Sequence, residues 1–416
     1  MKTTTTRRQF LATTTLGALA GTPAFAAGSD ETLRVALIGC GGRGNGALGQ
    51  FQEAAGILGL KVEITALADA FPEAAGRAAT QFGVDPERCF SGYTAYQQAI
   101  ATDCDYVLMA TPPNFRPVHF AAAIEAGKHC FIEKPVAVDP VGARAVIATG
   151  KLAAQKGLAV VAGTQRRHQH AYRANKARID AGAIGEIRGG VVQWNGQIPW
   201  IKHRAEAWSD TEYLTRNWLN FTEMSGDHIV EQHVHNIDVA IWFLGRNPVS
   251  ALGFGGRARR QTGNQFDFFS VDFDFGDDVH IHSQCRQLAG AYGRVGESFT
   301  GATGSCYGGG KMSGKEVHIE PVPKDTDNAM VQEHIDLIRS VREGSPVNEA
   351  AQVADSTLAA LMGRISAYTG RMVRRIDLTE RQNSPYYNLR ASVDPLDFES
   401  GEVTLPAETP PVPGQA

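Results

Sequence analysis

From Leu33 to about Thr164 short apolar runs, "RVALIGC", "VEITALAD", "YVLMAT", "HCFIE" and "LAVVAGT", alternate with alanine-rich amphipathic stretches. Continuous apolar strands separated by helical patterns predict βαβ units and a parallel sheet covered on both faces. Downstream the pattern changes: "EIRGGVVQWN", "SALGFGG", "FDFFSVDFDF" and "DVHIHSQC" arrive close together, which predicts a mainly antiparallel sheet. Gly276-Asp277-Asp278 is a hairpin signal that puts Val279 and Ile281 on one strand face and His280 and His282 on the other, open face. "NAMVQEHIDLIRSVREG" and "EAAQVADSTLAALMGRISAYTG" carry apolar residues at helical spacing. The proline-containing tail from Ser384 has little to bury and reads as an extended, partly disordered arm. The predicted class is α/β: a parallel-sheet domain over 31–160, an α+β domain with a large, mainly antiparallel open sheet over 161–380, and a C-terminal arm over 384–416.

A chain of 416 residues, 43% hydrophobic and 20% charged, with no basic block behind its net charge of −4, has no feature that invites nucleic acid or an anionic membrane. A small-molecule partner fits better. At the N-terminus Arg7-Arg8, an apolar stretch from Phe10 and the small-residue Ala24-Phe25-Ala26 site resemble a twin-arginine export signal over residues 1–26. The apolar run is short and interrupted by threonine, so no stable membrane anchor is expected. Cleavage would take the net charge from −4 to −7 by removing Lys2, Arg7 and Arg8, giving a soluble periplasmic protein exported already folded. The six cysteines lack framework spacing and read as free and structural.

Directly after the first predicted strand, Gly39-Cys40-Gly41-Gly42-Arg43-Gly44 is a G-x-G-x-x-G opening a helix, a turn that admits a pyrophosphate against the helix N-terminus. The next strand ends at Asp69, where a carboxylate receives ribose hydroxyls and repels a 2′-phosphate, so NAD is favoured over NADP. Together these predict a Rossmann dinucleotide-binding domain.

Further on, "ATPPNFRP" ends a strand and "AGKHCFIEKPVA" follows one helix later. With the glycine fingerprint, Thr111-Pro112, Ala126-Gly127-Lys128-His129 and Glu133-Lys134-Pro135 resemble the glucose-fructose oxidoreductase / inositol dehydrogenase (Gfo/Idh/MocA) family over roughly residues 33 to 375. The resemblance implies that Lys134 lies beside the nicotinamide and hydrogen-bonds the reacting hydroxyl, with Pro135 often cis. It also implies cofactor contacts from Thr111, Pro112, Asn114, Arg116, Glu133 and Gln165. Arg116 stands where the family has a histidine, and Gln165-Arg166-Arg167 where it often has Asn-Arg-Arg.

The stretch "HIVEQHVHNID" resembles the family's second-domain signature, with Glu231 at an aspartate position, His233 at a glycine position, His235 at the proton-transferring histidine and Asp238 at the later acid. Independently, at about 100° per residue His228, Glu231 and His235 share one helix face beside an apolar stripe of Val230, Val234, Ile237, Ile241 and Leu244. Those three side chains could be metal ligands, a bland polar face or a proton-transfer group. No C-x-x-C, H-E-x-x-H or carboxylate cage accompanies them, so no metal is assigned and the proton-transfer reading is preferred. In it His235 takes the hydroxyl proton, Lys134 polarises the same oxygen, and Glu231 orients the imidazole or a second hydroxyl. Arg167, His168, Tyr172, Trp194 and His228 are candidate sugar contacts, the tryptophans Trp194 and Trp200 being equally readable as core.

The expected function is a nicotinamide-dependent oxidoreductase acting on a sugar or glycoside. Outside the cytoplasm its NAD(H) would have to stay bound and be restored in each turnover. The alternative is an NAD-dependent redox-neutral glycoside hydrolase, with oxidation at C3, elimination, hydration and reduction, for which His228, Glu231 and His168 could supply extra acid–base groups. A non-catalytic sugar-binding protein is a third reading. Association as a dimer or tetramer through the open sheet face is expected by analogy.

Overall fold

The computed structural model describes residues 32–414, so the export-signal reading lies outside the described residues. Six strands, β1 (Thr32–Ile38), β2 (Lys61–Asp69), β3 (Cys89–Ser91), β4 (Tyr106–Met109), β5 (His129–Ile132) and β6 (Val160–Ala162), form a sheet in the order β3-β2-β1-β4-β5-β6. Every pairing in it is parallel. Its strands are apolar on both faces because both are covered: Val35 and Leu37 point into a core shared with helix Gly42–Ile57, and Ala36 and Ile38 into one shared with helix Arg116–Glu125. Strand order reverses between β1 and β4, which opens a crevice at the carboxyl ends of these strands.

The second sheet comprises β7 (Ile187–Gly196), β8 (Ser250–Gly256), β9 (Phe268–Asp274), β10 (His280–Gln287), β11 (Arg294–Gly301), β12 (Ser305–Cys306), β13 (Met312–Ser313) and β14 (Val373–Arg374), in the order β13-β12-β11-β7-β10-β9-β8-β14. It is antiparallel apart from the β7–β10 pair. The Gly276-Asp277-Asp278 turn joins β9 to β10 with positive φ at all three residues. As expected, Val279 and Ile281 are buried, while His280 and His282 lie on the open face, bonded to Asp272 (2.8 Å) and Ser270 (2.9 Å).

Helix Ala350–Thr369 belongs to both cores, contributing Val353 and Ala354 to the first domain and Leu358, Leu361, Met362 and Ile365 to the second. Helix Ala329–Arg342, though late in the chain, sets Val331, Ile335, Leu337 and Ile338 against helix Gly42–Ile57 of the first domain.

Two expectations change. The histidine cluster is not one helix but two, His228–Glu231 and Val234–Leu244, with Gln232 and His233 in the break. The tail is not short of things to bury: it carries helix Pro395–Ser400, and Phe398 and Val403 sit in a cluster with Phe115, Tyr213, Leu214, Phe221 and Met224. All six cysteines are free, and among the described residues no helix is long and apolar enough to cross a membrane.

Leu358 is fully buried where the long helix meets the second core. Leu358→Ala is expected to cost about 2–5 kcal/mol by transfer and cavity terms, read as a lowered thermal midpoint, whereas His282→Ala on the open face should shift it little.

Candidate functional site

The glycine turn after β1 is built by close approach. A Cβ on Gly39, whose φ is 95°, would lie 2.8 Å from the backbone of Ala110 and Thr111, and one on Gly44 would lie 1.7 Å from the Gly39 carbonyl oxygen. Gly41 and Gly42, by contrast, have nothing within 4 Å of a Cβ position, which leaves open space at the start of helix Gly42–Ile57 where an anion meets free N–H groups. At the end of β2, Asp69 accepts hydrogen bonds from the backbone N–H groups of Cys40 (2.7 Å) and Phe71 (2.9 Å), one on each oxygen. Burial raises its carboxyl pKa, and it still lines a cavity of about 380 Å³ together with Gly39, Gly41, Thr111 and Pro112.

A second cavity, of about 270 Å³, shares Ala110, Thr111 and Trp218 with the first, so the two form one groove across the carboxyl ends of the strands. Arg43, Arg116, Glu133, Lys134, Gln165, Glu231 and His235 all line it. Lys134 follows β5, and the Lys134–Pro135 bond is cis, as the resemblance implied. Its Nζ donates to the Glu231 carbonyl (2.5 Å) and to Glu231 Oε1 (3.1 Å), bringing the two domains together at the site. Glu231 Oε2 has no protein partner. His235 is buried and stacks on Trp194, with ring centroids 5.7 Å apart at 22°. Burial first, and then the positive charges of Lys134, Arg166 and Arg43, hold its imidazole well below the usual pKa, so it is neutral and able to accept a proton.

Arg116 sits under this chemistry. Its guanidinium donates to the carbonyls of Thr111 and Pro135, tying the β4 turn to the turn that carries Lys134. Burial lowers its pKa to about 10, which leaves it charged at neutral pH. Arg43 pairs with Glu133 and reaches Glu333 at 3.4 Å, while Glu133 accepts from the Lys134 N–H at 3.1 Å. Burial and the neighbouring Glu133 push the Glu333 carboxyl well above its usual range.

Several sequence-predicted contacts are elsewhere. Asn114 is paired in both directions with the backbone of Val393 (2.8 and 3.0 Å) and lines neither cavity. His228 is buried with its Nδ1 on Asp227 Oδ1 (3.0 Å) and its ring against Phe269. Arg167 makes a bidentate pair with Asp238 (2.9 Å) and lies outside the catalytic cavity. His168 lies between Asp336 (2.7 Å) and Glu349 (3.4 Å). Tyr172 donates to Glu297 at 2.9 Å beside a separate shallow groove. Trp194 supports His235 from beneath, whereas Trp200 lines the cavity. Sequence reasoning missed Trp218, Gln232 and Glu333 as cavity residues. The helical pattern around Glu333 gave no sign that this helix crosses back to the first domain. Among the described residues no three His, Cys, Asp or Glu side chains converge as a metal site.

Comparison with known proteins agrees with this fold. Residues 33–164 match the GFO_IDH_MocA profile, described as "Oxidoreductase family, NAD-binding Rossmann fold", and residues 172–306 match the GFO/IDH/MocA C-terminal domain. An inositol 2-dehydrogenase of Rhizobium meliloti (strain 1021) is 27% identical over 219 residues, covering 53% of this chain and 57% of that protein. A 2,7-anhydro-N-acetylneuraminate hydratase of Mediterraneibacter gnavus is 23% identical over 260 residues, covering 59% of this chain and 64% of that protein. The matches thus span less than two thirds of either relative. The crystal structure of an aldose-aldose oxidoreductase from Caulobacter crescentus, complexed with glycerol, superposes with a TM-score of 0.62 at 19% identity, covering 83% of this chain and all of that one.

The His168 cluster gives a pH test. Burial opposes its charge, but Glu349 and Asp336 outweigh burial and raise its pKa to about 10. A raised folded-state pKa means stability present in full below about 6.5 and lost as pH climbs towards 10, at a limit of about 1.4 kcal/mol per pH unit for one proton. The fall in thermal midpoint between pH 7 and 10 is therefore expected to be shallower in His168→Gln than in the parent protein.

Proposed function

Because the chain belongs to the GFO/IDH/MocA oxidoreductase family, whose NAD-binding Rossmann fold it carries, we propose that it oxidises a hydroxyl of a sugar or glycoside and keeps its nucleotide bound, restoring it within each turnover. The observation that supports this reading most directly is the convergence of Lys134, Glu231 and His235, from two domains, on the cavity that continues the glycine-turn groove. The open space at Gly41 and Gly42 suits a pyrophosphate, Asp69 suits a ribose, and Glu133 and Gln165 lie at the far end of the groove, so the residues present fit NAD. When bound, NAD supplies the hydride acceptor.

The protein's own groups handle the proton. A substrate hydroxyl between Lys134 and His235 receives a hydrogen bond from Nζ, which stabilises the developing negative oxygen, while its proton passes to the unprotonated ring nitrogen of the neutral His235. Glu231, which lines the cavity, orients a second hydroxyl, and Trp200 offers an apolar wall to the C–H face of the ring. On return, the imidazolium gives its proton back to the carbonyl oxygen of the compound being reduced.

A second sugar as the compound reduced is supported by the aldose-aldose oxidoreductase fold. A redox-neutral cleavage or hydration is the second reading, favoured by the extra carboxylate of Glu231 in the cavity and by the anhydrosugar hydratase among the relatives. The proposal includes a periplasmic location, supported by Arg7-Arg8 and the Ala24-Phe25-Ala26 site, where a diffusible nicotinamide pool is lacking. It also includes a dimer or tetramer joined through the open sheet face, supported by the exposed Leu252, Phe254 and Phe268 there.

Incubating the purified protein with sugars and nitrophenyl glycosides, without added NAD, tests the reading. One oxidised and one reduced product identify the oxidoreductase, nitrophenol release identifies the hydrolase, and neither with any substrate rejects both. Lys134→Ala and His235→Ala are each expected to lower kcat by about 10² or more while the nucleotide content stays unchanged. Since His235 is neutral well below pH 6.5, kcat/KM should show no loss from its protonation between pH 8 and 6.5.

A further inference from the structure

The adenosine end of the groove has a second wall that the dinucleotide fingerprint does not supply. Besides Asp69, Phe71 and Tyr93, the cavity of about 380 Å³ is bounded by Lys202, Trp208, Thr215, Arg216 and Trp218 of the second domain. This roof is fastened to the first domain from inside: Arg216 donates to Glu73 at 2.6 Å and lies 3.7 Å from the centroid of the Phe71 ring, and Tyr93 bonds Thr215 through the two hydroxyls at 2.9 Å.

Outside the roof runs the C-terminal arm, which touches both domains without lining the cavity. Asp139 Oδ2 accepts from the N–H groups of Ala391 (3.0 Å) and Ser392 (2.9 Å), and Asn114 pairs with Val393. Glu399 Oε2 accepts from the N–H groups of Tyr93 (2.6 Å) and Thr94 (3.2 Å). The Phe398 ring stands edge-on to Phe115 at 4.9 Å and 5.2 Å from Tyr93. Further along, Glu408 accepts from the Tyr213 hydroxyl and from the Gly263 N–H, both at 3.3 Å, on the second domain. The arm therefore bridges the Tyr93 turn, the Phe115 turn and the roof helix Asp210–Arg216.

We propose that Trp208, Arg216 and Trp218 form the outer half of the adenosine subsite and that the arm from Ala391 to Glu408 holds this half shut, so that NAD is retained from one turnover to the next. The inference rests on the bound-nucleotide reading above and supplies its physical cause. Aromatic and guanidinium faces suit a purine ring, and a nucleotide lying between the roof and Asp69 leaves only when the roof lifts, which requires the arm to come away from Tyr93 and Phe115. The arm also accounts for the placement of Asn114, two residues beyond Pro112, which is bonded to Val393 and lines neither cavity.

The test measures nucleotide release, not sugar turnover. Full-length protein purified with its nucleotide, together with its Glu399→Ala and Phe398→Ala variants, is diluted into nucleotide-free buffer, and released NAD(H) is followed by its absorbance after separation from protein. Both variants are expected to release nucleotide at least tenfold faster than the parent, and Trp208→Ala likewise. Glu399 is exposed and its loss removes only the two backbone contacts, so that variant decides the matter even if Phe398→Ala does not fold. A folded Glu399→Ala protein that releases nucleotide at the parental rate overturns the inference, as does a parent protein that loses its nucleotide as fast as the variants. Faster release from the variants with no sugar oxidised by any of them would leave the inference standing and reject the proposed activity instead.

Discussion

The guanidinium of Arg364, buried on the long helix, donates to the carbonyl of Val138 (2.9 Å), four residues past Lys134, and to that of Gly226 (3.0 Å), just before the histidine cluster. It thereby fixes the distance between the two halves of the site. A reactive lysine and a reactive histidine that belong to different domains are useful only if those domains hold a fixed relation to within a fraction of an ångström. Charge-assisted bonds to backbone carbonyls do this better than side-chain pairs, since the backbone cannot rotate away. Arg116 repeats the device one layer closer to the groove, and Lys134 itself completes it by reaching the Glu231 carbonyl.

Electrostatics follows from that geometry. Burial first, and then the cationic side chains Lys134, Arg166 and Arg43, keep the His235 imidazole free of a proton, although in isolation it would be partly charged near neutral pH. Glu133 and Glu333 gather around Arg43, and burial, with Glu133 nearby, pushes the Glu333 carboxyl well above its usual range. The cavity thus holds an unprotonated imidazole next to a positive charge. The lowered pKa also makes that imidazole a weaker base, so the hydrogen bond from Lys134 has to stabilise the oxygen as its proton leaves.

The parts of this arrangement set by local chain chemistry were readable from the sequence, namely the glycine turn, Asp69 at a strand end and the change from parallel to antiparallel strands, while Lys134 before Pro135 and His235 were reached through the family resemblance. The parts set by distant partners were not. His168 and Arg167 stand in a segment next to the groove and look like sugar contacts, but Asp336 and Glu349, far along the chain, claim the first, and Asp238 claims the second. His228 is claimed by Asp227 and by Phe269, the latter from a strand far along the chain. In the proline-containing tail Phe398 and Val403 find a hydrophobic seat among Phe115, Tyr213, Leu214 and Phe221, residues far away along the chain, a match that no window of local pattern can register.

Helix Ala350–Thr369 carries a last consequence. Its first turns are embedded in one core and its remaining turns in the other, so neither core can melt without stripping apolar surface from the other. Two units joined in this way should absorb heat in one calorimetric peak, and a hinge opening between them would have to pull this helix away from one of its two cores.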